Sequence, residues 1–575
     1  MKYLVPYLKK HGLESILAPL FKMLEATFDL IVPFIVAKII NVGIANGDTR
    51  YILFHVGLLI LMALLGLLCS FTAQYFAAKA AIGTSTGLRH QLLAHIQQFS
   101  FTEIDRFGTS TLITRMTADI NQVQNGLNMF LRLFLRSPFI VFGAMIMAFF
   151  IDTKTALIFA VTIPVLFVLV FGIMRLTNPL YKQVQSKVDC ITASTRENLS
   201  GVRVVRAFGR EEAEKEHFKT ANDRLVRAQQ KVGAISALMN PLTYVAVNIG
   251  IILILWVGAG RVQSGALLSG DVVALINYLS QILVELVKLA NLVVLLGKAI
   301  ASMGRISNVL DVENSMTYGS VTAPEQETEE VIRFEGVGLH YASSAEESLT
   351  NIDFAIQKGQ TVGVIGSTGS GKSSLISLIA RFYDATAGTV YFMGTPIAEW
   401  EKKALRNRVA VVLQKAHLFS GTVRSNLQFG KKDATEAELW EALELAQAAE
   451  FVRGKPGMLD ASIEQGGRNL SGGQKQRLTI ARALIAKPDI LILDDSSSAL
   501  DYATDAALRR SLANLPEDTT VIIVSQRTSS IQHADQILVL DDGMLVGSGT
   551  HEELLAGCEV YKEIHESLHR KEGDR

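Results

Sequence analysis

Cysteine is scarce in this chain, and the chain has no net charge. The three cysteines among 575 residues, Cys69, Cys190 and Cys558, are far apart and show no metal-binding spacing. We therefore expect a reduced protein that faces the cytosol. Lysine plus arginine and aspartate plus glutamate number 55 each, so the net charge gives no reason to expect nucleic acid as a partner.

The start of the chain lacks the cleavage pattern of a secretory signal peptide. "MKYLVPYLKKHG" is basic, but no small-residue site follows a short apolar core. We interpret this stretch as an amphipathic segment that precedes the first membrane span.

Apolar residues are abundant, making up 49% of the chain, and their excess lies before about Lys298. A helix needs roughly 20 mainly apolar residues to cross the hydrocarbon core of a lipid bilayer. We predict an all-α transmembrane domain with six spans, near residues 16–41, 51–75, 137–151, 155–174, 242–260 and 270–297.

The basic residues between these spans predict their orientation. Most of them lie between spans two and three and between spans four and five, whereas the opposite loops hold little beyond Arg50, Lys154 and Arg261. Basic segments stay in the cytoplasm, so both chain ends are expected there. Helical spacing of apolar residues continues through the long basic segments, which favours helices that extend into the cytoplasm over a separate soluble insertion.

The composition changes to polar and acidic between Arg305 and Glu330, ending in "APEQETEEV". We assign residues 1–304 to the transmembrane domain, 305–330 to a linker and 331–575 to a second domain. In that domain, short β-branched runs such as "TVGVIG" and "DILILD" alternate with helical stretches. This alternation is typical of an α/β domain with a mainly parallel sheet.

A glycine-rich loop in the second domain predicts a nucleotide site. "GSTGSGKS" fits the phosphate-binding pattern and lies between the strand "TVGVI" and an apolar helix. Glycines let the backbone N–H groups wrap a triphosphate at the start of a helix. We expect Lys372 to reach the β- and γ-phosphates of ATP and the Ser373 hydroxyl to bind Mg²⁺. The predicted ATP-binding residues here are Gly366, Ser367, Thr368, Gly369, Ser370, Gly371, Lys372, Ser373 and Ser374.

A buried-type strand, "ILILDD", ends in two aspartates. In phosphoryl-transfer ATPases a strand-terminal aspartate holds the Mg²⁺ shell. We assign this role to Asp494.

"LSGGQ" at residues 470–474, followed by "KQRLTIARAL", resembles the signature motif of ATP-binding cassette (ABC) proteins. Other motifs of that family match in order. The resemblance implies that Tyr341 stacks on adenine, that Gln414 senses the metal and the attacking water, and that "SALD", ending at Asp501, is the D-loop. Six spans before one such domain resemble an exporter-type half-transporter (type IV fold), and "FGTSTLITRMTADI" and "ENLSGVRVVRAFGREE" resemble its two coupling regions.

In that family the signature motif binds the γ-phosphate held by a second cassette. The resemblance therefore implies that Ser471, Gly472, Gly473 and Gln474 contact nucleotide bound to a partner chain, and that this chain must pair.

Two positions depart from the family pattern. Asp495 stands where a glutamate polarises the attacking water, and Gln526 stands where the family has a switch histidine. A misplacement of about 1 Å can lower a rate by about 10²-fold, so we expect this Walker site to bind ATP and hydrolyse it slowly. A heterodimer with a competent second site explains both changes. One alternative is a homodimer with two impaired sites. The other is that both substitutions are neutral and the site still works.

The sixth span carries a polar stripe. Asn277, Gln281, Glu285, Lys288 and Asn291 fall within an arc of roughly 120° on the helix. Such groups usually face a bundle interior or a water-filled cavity, so we expect the stripe to line the translocation path. Helix–helix hydrogen bonding, with Glu285 paired to Lys288, is the alternative. In the first span, Glu25 and Asp29 share a face and allow the same two interpretations.

These features predict one subunit of an ATP-driven exporter of small amphipathic compounds, such as drugs, lipids or peptides, in a bacterial cell membrane. The expected partners are a second half-transporter and the bilayer. A nucleotide-gated regulatory or channel-type ABC protein is the first alternative, and an exporter-fold siderophore importer is the second. A soluble chromosome or repair ATPase is inconsistent with six spans.

Overall fold

The computed structural model describes residues 2–324, 328–341, 344 and 346–573, with side chains up to residue 567. Residues 325–327 of the predicted linker therefore lie outside the described residues. The chain divides into two compact units. The first comprises Met1–Gln97 and Ser110–Val312, and the second comprises Gln98–Thr109 and Glu313–Arg575.

The N-terminal part of the chain is helical, with short connections. Its helices in the described residues are α1 Val5–Lys10, α2 Gly12–Lys38, α3 Thr49–Ile96, α4 Phe101–Phe107, α5 Thr109–Thr114, α6 Ile120–Leu133, α7 Arg136–Ile151, α8 Thr153–Ser200, α9 Val202–Ala207, α10 Glu211–Ala237, α11 Met239–Gln263 and α12 Ser269–Leu310. The π-helical turns Ile39–Ile44 and Arg115–Asp119 extend α2 and join α5 to α6.

Six helical segments in the described residues are long and apolar enough to cross a membrane. They are Gly12–Ile44, Thr49–Ile96, Thr109–Ile151, Thr153–Ser200, Glu211–Gln263 and Ser269–Leu310. The six-span prediction is thus confirmed. The last helix continues to Leu310, beyond the boundary predicted after residue 304.

These segments are much longer than a bilayer requires. With 48 residues, α3 is about 72 Å long, against a hydrocarbon core of about 30 Å. Aspartates cap two of the helices at the short turns. Asp48 accepts hydrogen bonds from the backbone N–H groups of Arg50 and Tyr51, and Asp152, in the predicted turn between spans three and four, accepts one from Thr155.

The C-terminal part of the chain has the predicted α/β composition. Its strands are β1 Glu330–Leu339, β2 Leu349–Gln357, β3 Thr361–Gly366, β4 Ala387–Phe392, β5 Thr395–Pro396, β6 Val409–Val412, β7 Gly421–Thr422, β8 Ser462–Ile463, β9 Ile490–Asp494, β10 Thr520–Val524, β11 Gln536–Asp541 and β12 Met544–Gly549. Its helices are α13 Lys372–Ile379, α14 Lys402–Arg408, α15 Val423–Leu427, α16 Glu436–Leu445, α17 Ala449–Arg453, α18 Gly472–Leu484, α19 Tyr502–Leu512, α20 His551–Gly557 and α21 Glu559–Gly573.

One six-stranded sheet organises this unit. Its order is β12-β11-β3-β10-β9-β6, and every pair is parallel except β11 with β12. A second, four-stranded antiparallel sheet has the order β2-β1-β4-β5. Buried apolar residues of both sheets form one continuous cluster. Because β3, β9 and β10 are parallel neighbours, their carboxyl ends meet at one edge, where open α/β sheets bind ligands.

Helix α4 belongs to the second unit. The Phe101 ring packs on Phe382, with centroids 4.7 Å apart, and the Tyr383 hydroxyl donates a 2.5 Å hydrogen bond to Asp105. The coupling region that we predicted at residues 107–120 overlaps this segment only at its end. These contacts hold α4 against the residues that follow α13, and the predicted coupling region stays a prediction.

Candidate functional site

The loop between β3 and α13 is built around Lys372. Its Nζ donates hydrogen bonds to the carbonyl oxygens of Gly366, at 2.8 Å, and Ser367, at 2.5 Å. A third, longer bond of 3.3 Å reaches the Ser370 hydroxyl. Burial lowers the pKa of Lys372, and the nearby carboxylates Asp494 and Asp495 oppose that shift. The amine thus lies inside the loop, near the two aspartates.

Glycine is required at two positions of this loop. Gly369 and Gly371 have φ values of +89° and +96°, and a Cβ on Gly371 would lie 2.8 Å from the Ser348 carbonyl oxygen. The stretch from Ser367 to Gly369 is exposed, and α13 begins directly after Gly371. The first backbone N–H groups of a helix have no acceptor within the helix. An exposed glycine-rich backbone at a helix start fits a bound triphosphate, and the assignment of these residues to ATP stays a prediction.

Asp494 is the last residue of β9 and is buried. Burial raises the pKa of its carboxyl group to about 6, the Asp495 charge adds to this shift, and Lys372 opposes it. The ionised carboxylate is therefore unfavourable without a cation. A buried carboxylate of this kind, with the exposed Ser373 hydroxyl at the start of α13, fits Mg²⁺, which takes oxygen ligands.

Asp495 follows with a left-handed backbone, at φ +45°, which is uncommon outside glycine. Its N–H donates to the Val524 carbonyl oxygen at 3.0 Å, which ties it to β10. The side-chain Oδ2 accepts a 3.2 Å hydrogen bond from Gln414 Nε2. Gln526 lies two residues beyond Val524 and is exposed. The sheet therefore brings Gln414 and Asp495 into contact and puts Gln526 on the loop after the neighbouring strand.

Tyr341 lies beside the start of α13. Its hydroxyl donates a 3.1 Å hydrogen bond to Ser374 Oγ, and its ring meets the Tyr383 ring edge-on, with centroids 5.0 Å apart. These contacts hold the aromatic ring next to the predicted phosphate loop.

The signature segment begins α18. Ser471 caps the helix, accepting a hydrogen bond from the N–H of Gln474, while the Gln474 side chain accepts one from the N–H of Ser471. Gly472 is exposed, and Asp501 caps α19 through the N–H of Thr504. Among the described residues no hydrogen bond joins the signature segment to the loop around Lys372.

A second polar site lies among the membrane helices. Glu285 is buried and accepts hydrogen bonds from Arg136 at 2.5 Å, Ser137 at 2.8 Å and Lys288 at 2.9 Å. Arg136 also contacts Asp29 at 2.9 Å. The anticipated Glu285–Lys288 pair is therefore present, and it belongs to a larger network.

This network borders a cavity of about 530 Å³ between α2, α7 and α12. Asn277, Gln281, Glu285 and Lys288 of the predicted stripe border it, whereas Asn291 does not. Asp29 also borders it. Glu25 does not border it, but pairs with Lys22 at 2.5 Å and lies 3.8 Å from Arg136. Sequence reasoning missed Arg136 and Ser137 as members of this site. The only sequence feature that could have indicated them is a basic residue followed by a hydroxyl residue at the start of the third span.

Family comparisons match regions in both units of the chain. Residues 15–286 match the ABC transporter transmembrane region, and residues 349–498 match the ABC transporter family. An uncharacterized ABC transporter ATP-binding protein of Bacillus subtilis, YfiB, is 35% identical over 100% of this chain and 99% of its own length.

More distant relatives cover most of the chain as well. An ATP-dependent lipid A-core flippase of Photobacterium profundum is 29% identical over 89% of this chain and 86% of its own. A bacterial Atm1-family ABC exporter, solved with ATP bound, superimposes with a TM-score of 0.79 at 23% identity, covering 97% of this chain and 98% of that one. The chain thus belongs to the ABC transporter family, as an integral membrane, ATP-driven transporter of exporter fold with a cytoplasmic ATP-binding domain.

Proposed function

We propose that the chain is one subunit of a heterodimeric exporter of small amphipathic compounds, and that its own Walker site binds MgATP but hydrolyses it slowly. Its intact LSGGQ segment would complete the competent site on the partner subunit. One observation carries this proposal: Asp495 stands at the position of the family's catalytic glutamate, and its carboxylate is hydrogen-bonded to Gln414.

The shorter side chain of Asp495 supports slow hydrolysis. Aspartate has one methylene fewer than glutamate, so its carboxylate stops short of the place from which a glutamate would orient water. The bond to Gln414 and the backbone bond to Val524 hold it there. A misplacement of about 1 Å can lower a rate by about 10²-fold.

Gln526 supports the same conclusion. A neutral amide can donate a hydrogen bond to phosphate, but it cannot become a cation as histidine can. Two changes near one predicted γ-phosphate position therefore favour a site specialised for binding.

The other predicted residues keep the features that nucleotide binding needs. Lys372 would pair with the β- and γ-phosphates, Ser373, Asp494 and Gln414 would hold Mg²⁺, and Tyr341 would stack on adenine. Mg²⁺, when bound, neutralises the phosphate charge and the Asp494 carboxylate. The polar stripe of α12 would line the translocation path, since four of its members border the cavity.

Gly472 offers a clean test of the signature's role. A Cβ there would meet nothing within 4 Å in this chain, so Gly472→Ala leaves the fold of the chain undisturbed. We expect this change to lower ATP turnover of the pair about tenfold or more, because a methyl group would stand against nucleotide on the partner. Asp495→Ala should leave the ATP turnover of the pair within about twofold of the wild-type rate.

Gly557→Ala is the matched control, because a Cβ there also meets nothing within 4 Å. ATP turnover and ATP-driven uptake are measured for the co-purified pair in proteoliposomes. Loss of turnover in Asp495→Ala with normal turnover in Gly472→Ala would overturn the proposed arrangement. ATP hydrolysis without uptake would instead favour the regulatory or channel-type alternative.

A further inference from the structure

The cavity between α2, α7 and α12 contains both fixed and available charges. The Arg136 and Glu285 side chains are only 9% and 3% exposed, and each is bonded to several partners. Asp29 and Lys288 differ, with 45% and 42% of their side chains exposed. One carboxylate, that of Asp29, and one ammonium group, that of Lys288, are thus accessible from the cavity beside the buried pair.

Both exposed groups have unused hydrogen-bonding capacity in the described residues. Asp29 accepts a side-chain bond only through Oδ2, leaving Oδ1 available. Lys288 donates one bond, to Glu285, although an ammonium group has three N–H donors. The Gln281 Oε1 atom, which also belongs to the cavity lining, is buried without a hydrogen bond.

The distance between Asp29 and Lys288 determines how far apart the charged groups of a ligand should be. Gln281 donates to the backbone carbonyl oxygen of Asp29 at 3.3 Å, so Asp29 lies at the level of Gln281 on α12. Lys288 is one further heptad along, which is roughly 10 Å on the helix axis. Its bond to Glu285 draws the ammonium group back toward Asp29.

The charges that border the cavity cancel. Asp29 and Glu285 oppose Arg136 and Lys288, so a ligand with a net charge would leave an uncompensated charge in the cavity. The remaining lining includes Val32, Pro33, Val36, Ile140 and Val284, which suits an apolar portion. A volume of about 530 Å³ is within the range of small-molecule sites.

We propose that this cavity binds an amphipathic zwitterion, whose ammonium or guanidinium group pairs with Asp29 and whose carboxylate or phosphate group pairs with Lys288. This inference rests on the proposed exporter function and narrows its substrate class. It disfavours ligands that carry only one sign of charge.

Three dansyl probes that differ by one charged group test the proposal. Nα-dansyl-lysine carries a carboxylate and an ammonium group at opposite ends of its side chain. Dansylcadaverine lacks the carboxylate, and Nα-dansyl-norleucine has a hydrogen atom in place of the ammonium group. Fluorescence binding is measured on the full-length protein, with the subunit that co-purifies with it, in lipid nanodiscs. Empty nanodiscs correct for partition into lipid.

We expect the wild type to bind Nα-dansyl-lysine about tenfold more tightly than either singly charged probe. Asp29→Asn should weaken the binding of Nα-dansyl-lysine about tenfold, whereas Nα-dansyl-norleucine, which lacks the group that pairs with Asp29, should lose no affinity. Lys288→Gln should weaken the binding of Nα-dansyl-lysine about tenfold as well, whereas dansylcadaverine, which lacks the carboxylate that pairs with Lys288, should lose no affinity. The control is Lys79→Gln, because Lys79 pairs with Glu14 away from the cavity.

Three results would overturn the proposal: equal or tighter binding of a singly charged probe, no saturable binding of any probe, or unchanged binding in both cavity variants. The wild-type comparison alone decides the matter if a variant fails to fold. Basal ATP hydrolysis of the same preparation, measured without probe, tests the exporter assignment separately. Hydrolysis without zwitterion preference would reject only the substrate class.

Discussion

Gln414 donates a 3.2 Å hydrogen bond to the carboxylate of Asp495, across the ends of two neighbouring parallel strands. Asp495 directly follows β9, and Gln414 lies two residues beyond β6. We expect this contact to keep the short carboxylate close to the sheet.

Lys372→Ala should remove nucleotide binding by this Walker site. Its amine organises the loop through the Gly366 and Ser367 carbonyl oxygens and would supply positive charge to the phosphates. We expect affinity for a fluorescent ATP analogue to fall about 100-fold, as a charge-assisted contact is lost. The matched control is Lys358→Ala, a surface lysine paired with Asp518, which should bind normally. Unchanged affinity in Lys372→Ala would contradict the site assignment.

Asp494→Asn should stabilise the protein in the absence of Mg²⁺ and nucleotide. The pKa of Asp494 is raised to about 6, mainly by burial, so its ionisation destabilises the fold above that pH. The destabilisation develops as pH rises from the unfolded pKa of 3.8 through the folded value, and it is complete above pH 6. At pH 7.5 we expect a gain on the order of 1–3 kcal/mol, and near pH 4 almost none.

Thermal melts at the two pH values, with chelator present, measure the effect of Asp494→Asn. A gain of the same size at both pH values would show that relief of charge is not its cause. The variant should also lose the Mg²⁺ dependence of ATP binding.

Arg136→Met should destabilise the membrane unit. The change leaves the buried Glu285 with Lys288 and Ser137 alone and deprives Asp29 of its partner. Removing one member of a buried ion pair costs about 3–5 kcal/mol. The double variant Arg136→Met, Glu285→Met should recover part of this loss.

Melting temperature in nanodiscs measures these changes. Lys79→Met is the control, because Lys79 is half exposed and we expect its pair with Glu14 to contribute at most about 1 kcal/mol. Equal melting temperatures for Arg136→Met and Lys79→Met would contradict the role assigned to the network.

Tyr383→Phe should weaken the attachment of α4 to the second unit. The change removes the hydroxyl that donates to Asp105 but keeps the ring packed near Phe101. We expect a loss of about 1 kcal/mol in stability and a fall in ATP-driven uptake relative to ATP hydrolysis. The control is Tyr391→Phe, whose ring faces Arg333 in the β-sheet. A parallel fall in uptake and hydrolysis would contradict the expectation that α4 links ATP hydrolysis to transport.

Features with a local signal could be predicted from the sequence. The six spans follow from apolar runs, and the phosphate loop follows from glycines between a strand and a helix. Asp494 could be assigned to the end of a buried strand because a short apolar run precedes it. In each case the physical requirement concerns residues that are close in the chain.

Features that depend on distant residues could not be predicted. Arg136 is 149 residues from Glu285 and 107 from Asp29, and only helix packing brings them together. The association of α4 with the second unit depends similarly on Phe101 meeting Phe382. The hydrogen bond from Gln414 to Asp495 needs two strands to be neighbours.

Phosphate release by the full-length chain purified without any companion subunit tests the central claim most directly. We predict that it binds ATP but releases phosphate very slowly, and that Asp495→Glu with Gln526→His raises the rate about tenfold or more. Brisk hydrolysis by the unaltered chain, abolished by Asp495→Asn, would contradict the account.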